Sequence, residues 1–330
     1  MLIGINILHV HAELAGVRVY AANVMQAILE NCEGVHFKCY TSVSGYRAIV
    51  QAAPEIKNLK NVSFCIAKFN PRSKASLFLI ENSWLPFRLR VDKVNILASL
   101  DYHAPFLFSP SAIVVHDLNY IDAPDGLSMS YRLFRKLVVP LSIRCASQVW
   151  TISPFSYKRL LETYPWCEHK LVMIGSGVSG ESEKLHESNE KLIEGEYILS
   201  VGSFTTNKNH LGLIRAFNNL DWDGRLVLVG KKGGALIEPS FVESSEALGD
   251  RLVILTEASD KELNNLYGHA FAYATASLYE GFGLTILEAM RARLPVASSD
   301  RASLPYVGGK ACVYFDPDDE LDVARVLRAL

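Results

Sequence analysis

The chain has 330 residues, 49% apolar, 21% charged and 10% aromatic, which excludes a disordered, fibrous or low-complexity protein and predicts two domains at about 100–200 residues each. No run approaches the ~18 apolar residues of a membrane-spanning helix, and the apolar start stops before His9, His11, Glu13 and Arg18, so no secretion signal is read. The formal charge of −2 hides an asymmetry: residues 1–175 carry +6 and residues 176–330 carry −8. A basic half suits an anionic membrane surface or substrate, whereas the near-neutral whole gives little support to nucleic-acid binding.

Leu2–Leu8 is apolar and β-branched and reads as a buried strand. Gly16 opens a helical pattern through Val17, Tyr20, Val24, Ala27 and Ile28. Strand-like runs follow at His36–Tyr40, Val62–Ile66, Val94–Ser99 and Ala112–His116. Ser128–Ala146 reads as a helix with Tyr131, Leu133, Phe134, Leu137, Val138 and Leu141 turned inward and a kink at Pro140. Its mixture of Arg132, Arg135, Lys136 and Arg144 with apolar residues reads first as a core-facing amphipathic helix. The alternative is a helix lying on an anionic inner membrane. Gln148–Ile152 is a strand, Ser153-Pro154 a helix start, and Leu171–Ile174 the last strand of this half.

Glycine, serine and charge dominate residues 176–195, the predicted linker between a domain over 1–175 and another over 196–330. A second series runs through strand Tyr197–Val201, a helix over Asn207–Asn219, and strands Arg225–Val229, Leu252–Leu255, Phe271–Ala274, Pro295–Ala297 and Cys312–Phe315. From Asp318 a helical pattern begins in which Leu321, Ala324, Val326 and Leu327 need a partner. Short apolar strands alternating with helices predict an α/β class with doubly wound parallel sheets in both halves. Ligands of such sheets bind beyond the carboxyl ends of the strands. The six cysteines form no CxxC pair and read as reduced, largely buried thiols.

The segment Ser277-Leu278-Tyr279-Glu280-Gly281-Phe282-Gly283-Leu284-Thr285-Ile286-Leu287-Glu288-Ala289-Met290 sits where a strand gives way to a glycine-rich turn and a helix. Glycines let a backbone approach a ligand, and free N–H groups at Gly283, Leu284 and Thr285 would face a phosphate along the helix dipole. Glu280 and Glu288 could touch two parts of one extended ligand, carboxylates being good acceptors for sugar hydroxyls. On spacing alone, a dipole-complementing glutamate and a solvated one remain equally open. Lys208, at a helix start, suits a diphosphate or is a solvated helix-end lysine. His116 ends a strand as a ligand contact or a satisfied core histidine. His9 and His11 lack a third metal ligand, and Asp221-Trp222-Asp223 reads as a loop.

Glu280-Gly281-Phe282-Gly283 through Glu288-Ala289-Met290 resembles the Glu-x7-Glu signature of retaining GT-B glycosyltransferases, family four. Val201-Gly202-Ser203 through Lys208-Asn209, Val115-His116-Asp117-Leu118, Ile152-Ser153-Pro154-Phe155-Ser156 and Leu226 through Gly233 resemble further family segments, in order along nearly the whole chain. The resemblance implies a GT-B fold, two Rossmann-like domains facing a cleft, with the acceptor on residues 1–175 and the donor on 196–330. It implies a nucleotide-sugar donor and a saccharide or lipid-linked acceptor, with no cofactor and no metal. Glu280 would meet the donor sugar, Glu288 the ribose, and Lys208 and His116 the developing charge. Gly16, Ser203, Gly281, Phe282, Gly283, Leu284 and Thr285 would complete the donor site. The "SLYEGFG" and "HDL" forms look most like cytoplasmic mannosyltransferases of cell-surface polysaccharide and lipopolysaccharide assembly, with GDP-mannose as donor. Ser203 and Asn207 stand where many members have arginine, Thr285 where proline is frequent and Tyr306 where an acid is common. Members also continue with helices beyond the position of Leu330, so a longer natural product is expected. An epimerase of the same fold and a non-catalytic nucleotide-sugar-binding protein remain the alternatives.

Overall fold

The computed structural model describes residues 1–11, 15–32, 34–178 and 190–330. Two compact units emerge among them: unit 1 holds residues 1–121 and 129–178, and unit 2 holds residues 122–128 and 190–330. Most of the expected linker, residues 179–189, lies outside the described residues.

Unit 1 runs β1 (Leu2–Asn6), α1 (Ala15–Asn31), β2 (His36–Ser42), α2 (Val43–Ala52), β3 (Val62–Ala67), α3 (Lys74–Asn82), α4 (Trp84–Val91), β4 (Ile96–Ser99), β5 (Ser111–Val114), α5 (Asn119–Asp122), α6 (Met129–Cys145), β6 (Gln148–Thr151), α7 (Pro154–Thr163) and β7 (Leu171–Met173). Its seven strands are parallel in the order β3-β2-β1-β4-β5-β6-β7. The order reverses between β1 and β4, so the segments after those strands, His9 and Asp101 among them, stand at a switch point where ligands bind. Ser153 caps α7 by accepting from Ser156 N at 3.1 Å, with Pro154 at the first helical position.

Unit 2 runs β8 (Tyr197–Val201), α8 (His210–Asn218), β9 (Arg225–Val229), α9 (Pro239–Leu248), β10 (Leu252–Leu255), α10 (Asp260–His269), β11 (Ala272–Thr275), α11 (Leu284–Arg291), β12 (Val296–Ser299), α12 (Leu304–Gly308), β13 (Cys312–Phe315) and α13 (Glu320–Leu327). Its parallel sheet repeats the same winding, β10-β9-β8-β11-β12-β13, with the switch between β8 and β11. Apolar clusters cover both faces of this sheet, Leu213, Phe217 and Leu226 in one and Leu199, Val227 and Ile286 in the other. Burial on both sides accounts for the near-continuous apolar strands.

Three expectations change. The helix expected over Asn207–Asn219 is broken: Thr206–Lys208 forms a 3-10 turn, and Asn209, at φ 49°, caps α8 by accepting from Gly212 N at 3.2 Å. Asparagine tolerates this left-handed geometry, and its short side chain reaches the free amide. The final helix already has a partner. Val323, Ala324, Val326 and Leu327 are buried in one cluster with Leu213 and Phe217 of α8, while Leu321 is 74% exposed. On α6, Val138, Val139, Ser142 and Ile143 are the buried residues, whereas Leu133, Leu137 and Leu141 point outward, the reverse of the inward set expected for them. The helix continues through Pro140. Among the described residues no helix is long and apolar enough to cross a membrane.

Candidate functional site

Within unit 2, the loops after β8 and β11 are stitched together. Leu278 N donates to Asn207 O at 2.8 Å, and Asn207 Nδ2 donates to Tyr279 O at 3.4 Å. Asn207 thus acts as a brace. This linkage brings Lys208 and Glu280, 72 residues apart, into an ion pair between Nζ and Oε1. Ser277 Oγ donates to the same carboxylate oxygen at 3.1 Å. The lysine stem lies against Gly202, where an added Cβ would stand 3.3 Å from Lys208 Cδ. Ser203 follows directly, half-buried, its carbonyl accepting from Thr205 N at 2.8 Å.

Gly281, Phe282 and Gly283 are buried and carry the chain into α11. Gly283 is the N-cap at φ 113°, a region that L side chains rarely adopt, and a Cβ there would also stand 2.8 Å from Leu304 Cδ2. No side chain caps this helix. The Leu284 and Thr285 amides therefore stand at a helix N-terminus that suits an anion. Ser303, fully buried, donates to both Glu280 O at 2.8 Å and Phe282 O at 2.7 Å, fixing the loop from the far side. Glu288 lies one turn into α11, and its Oε2 accepts from Tyr267 OH at 2.9 Å. Burial raises its carboxyl above the ordinary range, against the opposing Tyr267 bond and the Arg291 charge. Unit 2 thus gathers Lys208, Ser203, Glu280, the Gly281–Thr285 segment and Glu288. It adds Ser277, Tyr267 and Ser303, to which the sequence reading gave no role. Ser277 opens the recognised segment, but Tyr267 and Ser303 are distant in sequence and carry no local signal.

His116 and Gly16 belong to unit 1. Gly16 is the second residue of α1 and is exposed. His116 lies two residues beyond β5, nearly buried, with Nε2 3.3 Å from Leu100 O and its ring edge-on to Tyr20 and Tyr102. Burial lowers its pKa, partly countered by Asp101 and Asp117, which favours the neutral imidazole, a hydrogen-bonding group. It lines a unit 1 cavity of about 350 Å³ with His9, Glu81, Asp101, Tyr102 and Arg135. Asn6 Nδ2 donates to Glu81 Oε1 at 2.9 Å. Burial pushes Glu81 up to about 8, and it pulls His9 and His103 down to about 4. Arg135 stacks over Tyr102 at 4.1 Å. Neutral His9, His103 and Glu81 thus stand beside the charged Asp101 and Arg135 among aromatic faces, a polar lining suited to a polyhydroxylated ligand. Among the described residues no group of three His, Cys, Asp or Glu could hold a metal ion.

The family model for glycosyl transferases group 1 matches residues 181–328. The O-antigen chain mannosyltransferase RfbU of Salmonella typhimurium is 26% identical over 293 residues, spanning 88% of this chain and 77% of its own length. O-antigen chain mannosyltransferase B of Escherichia coli is 27% identical over 249 residues, spanning 69% of this chain and 65% of its own. The structure of a Rickettsia africae glycosyltransferase superposes with a TM-score of 0.68 at 18% identity, over 99% of this chain and 87% of that one. WaaG, a glycosyltransferase involved in lipopolysaccharide biosynthesis, superposes at 0.69 and 14% identity, over 100% of this chain and 90% of that one. Residues 181–328 thus carry the likeness to glycosyl transferases group 1, and the two parallel-sheet units have the architecture of GT-B glycosyltransferases.

Proposed function

We propose that the protein is a retaining mannosyltransferase. It takes mannose from GDP-mannose and delivers it to a saccharide or lipid-linked acceptor in cell-surface polysaccharide assembly. The observation that carries this reading is the Lys208–Glu280 pair set beside the uncapped N-terminus of α11. The two stitched loops thereby offer a cation and helix amides for a diphosphate, and a carboxylate for sugar hydroxyls. Mannosyltransferase relatives named for the O-antigen chain supply the choice of sugar and setting.

Departure of the diphosphate is the hard step. Lys208, Ser203 and the amides of Gly283 to Thr285 stabilise the charge as it develops, a preorganised electrostatic effect. No metal ion is needed for that task. Glu280 exchanges its lysine partner for sugar hydroxyls and orients the transferred mannose, and Glu288 accepts from the ribose. Retention proceeds by front-face attack, without an enzymic nucleophile. The unit 1 cavity holds the acceptor, with neutral His116 in its wall. The place of action is cytoplasmic, at the inner face of the membrane.

Thermal shift and nucleotide release with GDP-mannose, UDP-glucose, UDP-galactose and ADP-glucose test the reading. GDP-mannose alone should both stabilise the protein and turn over. Preference for another donor would refute the sugar assignment. Stabilisation without turnover in the presence of saccharide acceptors would favour a binding protein. Release of a free sugar epimer would favour an epimerase.

A further inference from the structure

Asp101 lies two residues beyond β4, where the strand order of unit 1 reverses, and it lines the unit 1 cavity. Its carbonyl is used by the fold, accepting from Val114 N at 3.2 Å. Its carboxylate is not. Among the described residues no side chain hydrogen-bonds or ion-pairs with it, and its donor is the neighbouring Tyr102 amide. Burial opposes the charge, yet His9, Arg135 and His116 around it outweigh that cost and hold the carboxyl below its ordinary value. Arg135 is turned to other partners: its guanidinium lies over the Tyr102 ring at 4.1 Å, and its Nε donates to Tyr131 OH at 3.0 Å. His9, in the same cavity wall, is 4% exposed, and neither of its ring nitrogens has a hydrogen-bond partner among the described residues. Polar groups at such depth are ordinarily paired, so an uncommitted carboxylate and imidazole on one wall mark a place where a ligand completes the bonding. Glu81 is the counterpart to Asp101. Asn6 takes its Oε1, and burial lifts it to about 8, so at pH 7 it keeps a proton. One carboxyl that only accepts and one that also donates thus line a single cavity.

We propose that Asp101 is a specificity-determining residue for the acceptor: its carboxylate accepts from two adjacent hydroxyls of the sugar that receives the transferred unit, and it selects acceptors in which both are free. An ionised carboxylate has two oxygens and no proton, so it takes the O–H donors of a diol and has nothing to offer a substituent in their place. Such bonds are charge-assisted, and a missing hydroxyl leaves a desolvated charge without its donor. Discrimination is strongest in that situation, because the site itself is left unpaired. Glu81 supplies a donor for oxygens of the same sugar. This inference rests on the reading of the unit 1 cavity as the acceptor site and adds the feature of the acceptor that the cavity reads.

The full chain, saturated with GDP, is titrated by ligand-observed NMR with the methyl α-glycosides of mannose, rhamnose, galactose and N-acetylglucosamine, and with the monodeoxy forms of the one that binds most tightly. Removing either of two adjacent hydroxyls should cost the parent at least about tenfold in affinity. In Asp101→Asn the intact glycoside should bind at least about tenfold more weakly, and the same deoxygenations should each cost less than about threefold, with affinity for GDP unchanged. Asp101→Glu, which keeps the charge but displaces it, carries the same comparison should the amide variant not fold. Equal costs of deoxygenation in parent and variant would overturn the proposal. So would a parent that binds none of the glycosides, or one that no single deoxygenation weakens. Binding is read without a sugar donor or turnover, so failure of the mannosyltransferase reading leaves this result intact. Transfer from GDP-mannose that ignores deoxygenation of the acceptor would refute the role of Asp101 alone.

Discussion

Removing the two glutamates one at a time separates their roles, because the structure gives them different partners. Glu288 is held by Tyr267 OH at 2.9 Å in a buried setting. If it accepts from the ribose, that bond is similar in ground and transition states, so Glu288→Ala should raise the donor KM far more than it lowers kcat. A charge-assisted hydrogen bond contributes about 1.5–3 kcal/mol, so free GDP should bind about 10- to 150-fold more weakly. Glu280 behaves differently because its carboxylate neutralises Lys208 in the free protein. If Glu280 orients the donor sugar, Glu280→Ala removes that contact and also releases the lysine from its partner. Free GDP should therefore bind as well as before, or more tightly by up to about 1 kcal/mol, the ceiling for a partly exposed pair. Turnover should fall steeply, since orientation of the reacting sugar is lost. Calorimetry with GDP and steady-state kinetics with GDP-mannose measure both quantities. Equal loss of GDP affinity in the two variants would refute the division of roles. Changes within about 0.5 kcal/mol in both would mark them as surface carboxylates.

Turnover should persist in EDTA, measured as nucleotide release; loss that Mg²⁺ or Mn²⁺ restores would overturn the assignment of charge stabilisation to Lys208 and the helix amides. Glu81 is raised by burial to about 8 from an ordinary value of 4.5, so the folded state holds its proton more tightly than the unfolded chain. Its contribution to stability is present in full below pH 4.5 and is lost as pH rises through 8. Glu81→Gln, which keeps the acceptor for Asn6, should flatten the fall in melting temperature over that window; parallel curves for parent and variant would contradict the reasoning. Leu327→Ala should cost about 2–4 kcal/mol in urea unfolding, while Leu321→Ala should stay within about 0.5 kcal/mol. Similar costs at both positions would refute the packing of α13 on α8.

The doubly wound sheets were legible because parallel strands buried on both faces read as apolar runs, visible in Tyr197–Val201 and Arg225–Val229. The Gly281–Glu288 segment was legible because a strand, a glycine turn and a helix follow one another directly. The orientation of α6 was not. Apolar residues occupy two sides of that helix, and periodicity alone does not say which side faces the sheet. Leu133 and Leu137 point outward because Val138, Val139 and Ile143 take the core. The break at Asn209 escaped because helical propensity surrounds it, and only the capping geometry separates the turn from α8. Neither the Tyr267–Glu288 bond nor the Lys208–Glu280 pair could be read from spacing, since both join segments brought together by strand order. The charge state of His116 depends on burial, which a strand-end position leaves open.

The single hydroxyl of Ser303 reaches across to two carbonyls of the Glu280 loop, and Asn207 holds the same loop from its other edge. None of these braces belongs to the segment that would touch a ligand. The conformational entropy of that loop is therefore surrendered when the polypeptide folds, and little remains to be lost when a ligand arrives. A loop of the same residues without its braces would have to order itself at each encounter, and every molecule bound would bear that cost. Rigidity here is inherited from β12, α12 and the turn before α8. Changes at Ser303 or Asn207 should then reach the ligand as weaker association, with every contacting group still in place.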